Sequence, residues 1–291
     1  MYKDLLSRVD KLLINRGIVG HRAADRFVSD FKAYIVYFDA LGYGSAETTI
    51  SLLEDDRNLT DSAILNTNFR CKLDDLISPA LRNDALFMAV FNIVIDNNGK
   101  GVGAGELALP LILSNYRFSN VSDGEFNYNG KTRKVEIKKN GASLKPVKTG
   151  LTPKGLVDQL NKEFFNGTVP GKKSEKLFLQ HYRAVKDPTK YAEYFASLYV
   201  GCDTAELTEE VVSGAYKDPV KFNNAVGKFA LKEYKKVDGF NNIMYIDADK
   251  RVVVNISDVD DTSGLNLKFS PVMRRGKDTQ AIADGYVNVN I

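Results

Sequence analysis

Apolar and polar positions divide the chain into three stretches. Through residues 3–83 hydrophobic residues return every three or four positions, as at Phe27, Phe31, Ile35, Val36 and Phe38, the period of a helix with one buried face. The spacing predicts helices over residues 3–16, 23–41, 46–53 and 61–77, with polar or glycine-containing breaks at 17, 42–44 and 55–58. Within residues 84–145 the period shortens to two. Val135-Glu136-Ile137-Lys138 alternates apolar and charged, so a strand here sends Glu136 and Lys138 to one face and Val135 and Ile137 to the other. Asn129-Gly130 stands between two such extended segments and predicts a tight hairpin turn, because both central residues need φ > 0.

Upstream of the hairpin, the glycine-rich run 98–105 leads to Glu106 and then to the apolar run 107–113, which starts like a helix. The glycine run lacks the Lys-Ser/Thr pair of a nucleotide-binding P-loop, and Glu106 directly after it would repel a pyrophosphate. Beyond residue 145, Thr152-Pro153 reads as a helix cap and first helical position. Helices are predicted over 153–163, 175–185, 190–199, 206–215 and 219–234, with a linker at 166–173. Strands are predicted over 243–247, 251–256 and 265–269. The expected organisation is a helical N-terminal region, 1–83, followed by an α/β domain, 84–291, with a helical insertion over 151–236 and late strands over 242–270.

Candidate chemistry sits around the hairpin. Asp123 and Glu125 lie on its first strand, Glu136 and Lys138 on its second, and a helix packed across it would bring Glu106 to the same end. Asp123 and Glu125 are two apart, so alternation alone does not separate them. A glutamate, then Gly124-Glu125 a few residues before Asn129-Gly130-Lys131, then Glu136-x-Lys138 resembles the PD-(D/E)XK nuclease superfamily in its phage-type members. That family carries a glutamate on its first core helix, an acid on the second strand of a hairpin-bearing sheet, and (D/E)-x-K on the third. The resemblance covers residues 84–145. It implies an α/β restriction-endonuclease-like mixed sheet flanked by helices and a metal-dependent DNA endonuclease activity. By motif, Glu106, Glu125 and Glu136 would be catalytic carboxylates binding Mg²⁺, or Mn²⁺ in its place, with the Ile137 carbonyl as a further ligand and Lys138 acting on the nucleophile. Asp123 is the competing middle acid. The sequence departs from the family in having Glu125 for the usual aspartate and Ser143 where an arginine is common.

Composition fits an ordinary globular protein, and a net charge of +3 is too small to demand a polyanionic partner. Local charge says more. Lys131, Arg133, Lys134 and Lys139 crowd the hairpin, with Lys100 in the glycine run, and suit sequence-independent contact with DNA phosphates. The bland alternative is a solvated strand face. Cys71 and Cys202 form no C-x-x-C, which argues against a zinc site and a disulfide framework and fits a reducing cytoplasm. Neither His21 nor His181 has the spacing of a metal ligand or triad. No stretch reads as a signal peptide or is long enough to span a bilayer. The expected setting is the cytoplasm, the host's or a virion if phage-encoded, with a second copy or virion components as further partners. Rival classes are a virion-associated protein that keeps an inactive nuclease fold and a non-catalytic DNA-binding module.

Overall fold

Helix α1 (Tyr2–Asn15) buries Leu5, Val9, Leu12 and Leu13, a stripe at helical spacing. Helix α2 (Ala24–Ala40) does the same with Phe27, Phe31 and Ile35. Helix α3 (Ala46–Glu54) begins where the Ser45 hydroxyl accepts the Thr48 N–H. The computed structural model describes residues 2–19, 24–95, 105–119, 121–142, 147–148, 152, 155, 158, 219–262, 265, 267–275 and 281–289. Its chain divides into two compact units, Met1–Asn140 with Gly239–Asp258, and Gly141–Asp238 with Val259–Asn290.

In the first unit two further helices follow. Short α4 (Pro79–Arg82) has Ser78 as its cap and proline in its first turn. In α5 (Ala85–Val94) the Asp84 carboxylate accepts the Phe87 N–H at 2.8 Å and also the Thr49 hydroxyl at 2.9 Å, which ties α3 to the start of α5. The strands are β1 (Thr60–Asp61), β2 (Phe69–Lys72), β3 (Leu113–Ser114), β4 (Tyr116–Phe118), β5 (Gly124–Tyr128) and β6 (Lys131–Lys139), and, later in the chain, β8 (Asn242–Asp247) and β9 (Val252–Ile256). A six-stranded mixed sheet runs in the order β2-β9-β8-β6-β5-β4. Only the β6–β8 pair is parallel; the other neighbours are antiparallel. The fold is thus α/β, a mixed sheet with flanking helices and a helical N-terminal region.

Alternation sorts the sheet into two faces. Tyr116, Phe118, Phe126, Val135, Ile137, Met244, Ile246 and Val253 share one hydrophobic core with the buried stripes of α1, α2, α3 and α5. Opposite them stand Glu136, Lys138, Ile243, Tyr245, Val254 and Ile256. Strands β8 and β9 are buried on both faces, as their mostly apolar sequences require.

The hairpin forms as its sequence predicts. Tyr128 pairs with Lys131 across Asn129 (φ 49°) and Gly130 (φ 72°).

Residues 61–77 are not the helix their spacing predicts. They form β1, a 3₁₀ turn at Ser62–Asn66, strand β2 and a second 3₁₀ turn at Leu73–Leu76. Phe69-Arg70-Cys71-Lys72 alternates inward and outward and takes the edge beside β9. Pairing there gives the backbone groups on one side of β2 sheet partners, and two buried asparagines lock the arrangement. Asn255 Nδ2 donates to the carbonyls of Leu65 (2.9 Å) and Thr67 (2.7 Å), while its Oδ1 accepts from Asn242, which also donates to Leu65 O. Asn255→Ala should cost about 1–3 kcal/mol, because the Thr67 carbonyl and the Asn242 amide lose their Asn255 partner. Chemical denaturation measures this, and wild-type stability would mean the network is dispensable.

The predicted helix over 107–113 is also absent. Leu109–Leu111 makes one 3₁₀ turn, after which β3 pairs with β1 in parallel. Pro110 has no N–H to continue a helical ladder, and Leu113 finds a strand partner in Thr60.

In the second unit, strands β7 (Val147–Lys148), β10 (Leu267–Arg275) and β11 (Ala281–Val289) form a three-stranded antiparallel sheet in the order β10-β11-β7. Helix α6 (Pro219–Asp238) packs on β10, where Gly227 faces Leu267 and Asn224 Oδ1 accepts the Leu267 N–H at 2.6 Å. Strand β11 was not expected from the sequence. Thr152 caps as predicted, its hydroxyl accepting the Gly155 N–H at 3.0 Å. The helices predicted between 160 and 216, both histidines and Cys202 lie outside the described residues. Among the described residues, no helix is long and apolar enough to cross a membrane.

Candidate active site

Strand β6 is the spine of the site. Its alternation buries Val135 and Ile137 in the helix-covered core and leaves Glu136 and Lys138 side by side on the other face, where the ammonium donates to the Glu136 carboxylate. Both side chains are largely withdrawn from solvent, at 9% and 21% exposure, so charge is compensated locally rather than by water.

Asp123 supplies the second carboxylate. It lies one residue before β5 begins, in a turn tied by the Ser122 hydroxyl, which donates to Gly124 O at 2.9 Å. The strand partner that would continue the β5 ladder is missing there, and the Asp123 side chain takes its place. Its Oδ2 accepts the Ile137 N–H at 2.7 Å. Burial pushes the Asp123 carboxyl up to about 6, helped by the neighbouring Glu136 charge and by a hydrogen bond with Glu136, while the Ile137 N–H and Lys138 work in the opposite direction. The Asp123 carboxyl thus lies against Glu136 in a site largely withdrawn from solvent.

Glu125, the middle acid favoured by the motif frame, stands elsewhere. Its carboxylate accepts from Ser119 Oγ at 2.8 Å and pairs with Arg117 at 3.3 Å. It lines a polar groove of about 620 Å³ with Lys11, Asn15, Arg16, Arg117 and Asn127. Asp123 and Glu125 part because Asp123 precedes the strand, where the backbone has not yet entered the alternating geometry. It is therefore Asp123, not Glu125, that lies beside Glu136.

Glu106 is buried, in the turn before the 3₁₀ segment rather than on a helix. Its charge acts on Tyr116, whose hydroxyl is held protonated first by burial, then by Asp123 and Glu106. Among the described residues no three acidic, histidine or cysteine side chains are arranged to hold one ion. The expected cluster of three carboxylates and a lysine is instead a carboxylate pair with a lysine.

The hairpin's basic residues do not share one surface. Lys134 points with Glu136 and Lys138, whereas Lys131, Arg133 and Lys139 fall on the alternate positions. Lys131 and Lys139 are exposed; Lys134 and Arg133 are half-buried, and the Arg133 Nε is buried with no hydrogen-bond partner. Lys100 lies outside the described residues. The Cys71 thiol is pushed up to about 11 by burial and then by Asp75, so it is no nucleophile at neutral pH.

Two buried tyrosines border the site, and sequence reasoning took neither for a functional residue. Tyr116 on the core face crosses Gly124, the residue after Asp123, so closely that no side chain fits there. Tyr245 pairs with Lys138 in the parallel β6–β8 ladder and shares its face. Neither hydroxyl has a hydrogen-bond partner. Comparison with protein-family models, curated proteins and solved structures finds no match to the chain.

Proposed function

We propose that the chain is a metal-dependent DNA endonuclease of the PD-(D/E)XK type, with Asp123, Glu136 and Lys138 as its reacting centre. The observation that carries this reading is the Asp123 carboxylate bonded to the backbone of Ile137, between Glu136 and Lys138. It puts an acid at the start of the second strand, and E-x-K on the third, of the β4–β5–β6 meander. That is the order implied by the family resemblance.

Asp123 and Glu136, brought together at the Ile137 backbone, are hard oxygen donors, and Mg²⁺ is commonly bound by one or two carboxylates plus substrate oxygens. Asp123 and Glu136, with the Ile137 carbonyl, would hold Mg²⁺ or Mn²⁺; Glu106 would act from behind them. Bound there, the ion would supply Lewis acidity and positive charge toward a scissile phosphate. Lys138 leaves Glu136 to donate to the attacking water or to a phosphate oxygen as negative charge grows. The water oxygen adds to phosphorus as its proton passes to solvent, the bond to the leaving deoxyribose oxygen breaks and that oxygen takes a proton from solvent, and no covalent enzyme intermediate forms. Lys134, on the same face as Glu136, is the hairpin cation best placed for a neighbouring phosphate; Lys131, Arg133, Lys139 and Lys100 would serve phosphates further along. Such an enzyme would work in a reducing cytoplasm, the host's if phage-encoded.

The alternative is a DNA-binding module or virion component in which Lys138–Glu136 is only a structural ion pair, favoured by the absence of a third acid among the described residues. Supercoiled plasmid with the full chain separates the two. Nicking in Mg²⁺ or Mn²⁺ and none in EDTA is the expected result. Uncut plasmid and single strands, together with no Mn²⁺ binding by calorimetry, would leave the module.

A further inference from the structure

We propose that Tyr245 is a positioning residue of this site: its hydroxyl is the donor that holds the Glu136 carboxylate in place when Lys138 turns to the substrate. The inference rests on the nuclease reading and concerns a residue that its motif does not contain.

Register supplies the first argument. Lys138 pairs with Tyr245 and Glu136 with Ile243 in the parallel β6–β8 ladder, so Tyr245, Lys138 and Glu136 share one face of adjacent strands. Burial supplies the second. Tyr245 is fully buried, and its hydroxyl has no hydrogen-bond partner among the described residues. Buried polar groups in folded proteins are nearly always satisfied, and exceptions mark a ligand, a water or a working role. A phenol is a hydrogen-bond donor at neutral pH, and this one shares its face of the sheet with the Glu136 carboxylate.

The third argument is the double duty asked of Lys138. Its ammonium is bonded to Glu136. A lysine that turns to a phosphate or a nucleophile takes that hydrogen bond away from a buried carboxylate, which then swings unless another donor replaces it. An uncommitted hydroxyl on the neighbouring strand, on the same face, is such a donor, directly or through one buried water. The carboxylate would keep one orientation in both states of the lysine, and a divalent ion would meet a fixed oxygen.

The test uses the full chain, with Tyr245→Phe, MnCl₂ calorimetry and plasmid cleavage. Partners that orient metal-holding side chains cost about 10–100-fold in metal affinity or activity when removed. The expected result is Mn²⁺ affinity about tenfold weaker and kcat about tenfold lower at fixed Mn²⁺. KM for plasmid and the melting temperature should stay at wild-type values, because the hydroxyl has no partner to lose in the resting fold. Mn²⁺ affinity and kcat within about twofold of wild type would overturn the role and leave the nuclease function standing. A large fall in melting temperature with every other property would overturn it too, by making the hydroxyl structural. Wild-type protein that neither binds Mn²⁺ nor cuts DNA would remove function and role together, and the wild-type arm identifies that case.

Discussion

Lys138→Ala should lower plasmid cleavage by about a hundredfold or more, with DNA affinity nearly unchanged, because a positioned proton donor or acceptor contributes roughly 10²–10⁴ to a rate. Loss of the lysine leaves Glu136 and Asp123 together without their nearest cation, so metal binding should strengthen or hold while turnover falls. Glu136→Gln should behave in the opposite way, losing turnover through weaker metal binding and regaining part of it at high Mn²⁺. Both variants need thermal melts beside the kinetics. Glu136→Ala in particular strands a mostly buried ammonium, at a cost of about 3 kcal/mol, and an inactive but half-unfolded protein would say nothing of chemistry. If Lys138→Ala cuts DNA at the wild-type rate, the lysine is an ion-pair partner only, and the nuclease assignment loses its reacting group.

The second large effect should come from one methyl group. Gly124→Ala places a Cβ inside the hydroxyl and ring of Tyr116. Close packing leaves the ring nowhere to go, so either Tyr116 leaves its rotamer or β5 moves away from β4, a strain of about 1–3 kcal/mol. The displaced residue is next to Asp123, so cleavage should fall more than stability alone explains. Tyr116→Leu in the same chain should restore much of both, since it removes the ring; Tyr116→Phe should restore less, because ring carbons as well as the hydroxyl meet the added Cβ. Urea denaturation and cleavage rates on the three variants check this. A fully stable and active Gly124→Ala protein would mean that Tyr116 does not cross that strand.

These residues also mark where the sequence is readable. Asn129-Gly130 and the alternation around Glu136 are local signals, written in a few adjacent side chains, and the hairpin follows them. The mostly apolar stretches of β8 and β9 are as plain. Residues 61–77 mislead for a physical reason. Leu65, Phe69, Leu73 and Leu76 are spaced as on a helix, but two 3₁₀ turns around a short strand turn the same leucines inward, and only the edge beside β9 selects that solution. Choosing Asp123 over Glu125 depends on the residue at which β5 starts, which is set by its pairing with β4 and β6 and not by local pattern. Tyr245 is hidden because it sits in an apolar run, where a tyrosine reads as one more core side chain. Strand β11 is masked by Asp284-Gly285, which interrupts its alternation.

The parallel β6–β8 contact has a consequence for the nascent protein. Residues of β6 leave the ribosome well before those of β8: Lys139 pairs with Ile246, and roughly a hundred residues of synthesis, about 5–20 s of elongation, separate the two strands. Throughout that interval the helices and the β4–β5–β6 meander can fold, yet the strand bearing Glu136 and Lys138 keeps an open hydrogen-bonding edge. Lysines at 134, 138 and 139 line that strand, and charge on an exposed edge is what discourages pairing with a stray chain. The same side chains proposed to meet phosphate would thus guard the unfinished sheet, and a ribosome stalled before Asn242 would hold a chain whose acid site lacks one wall.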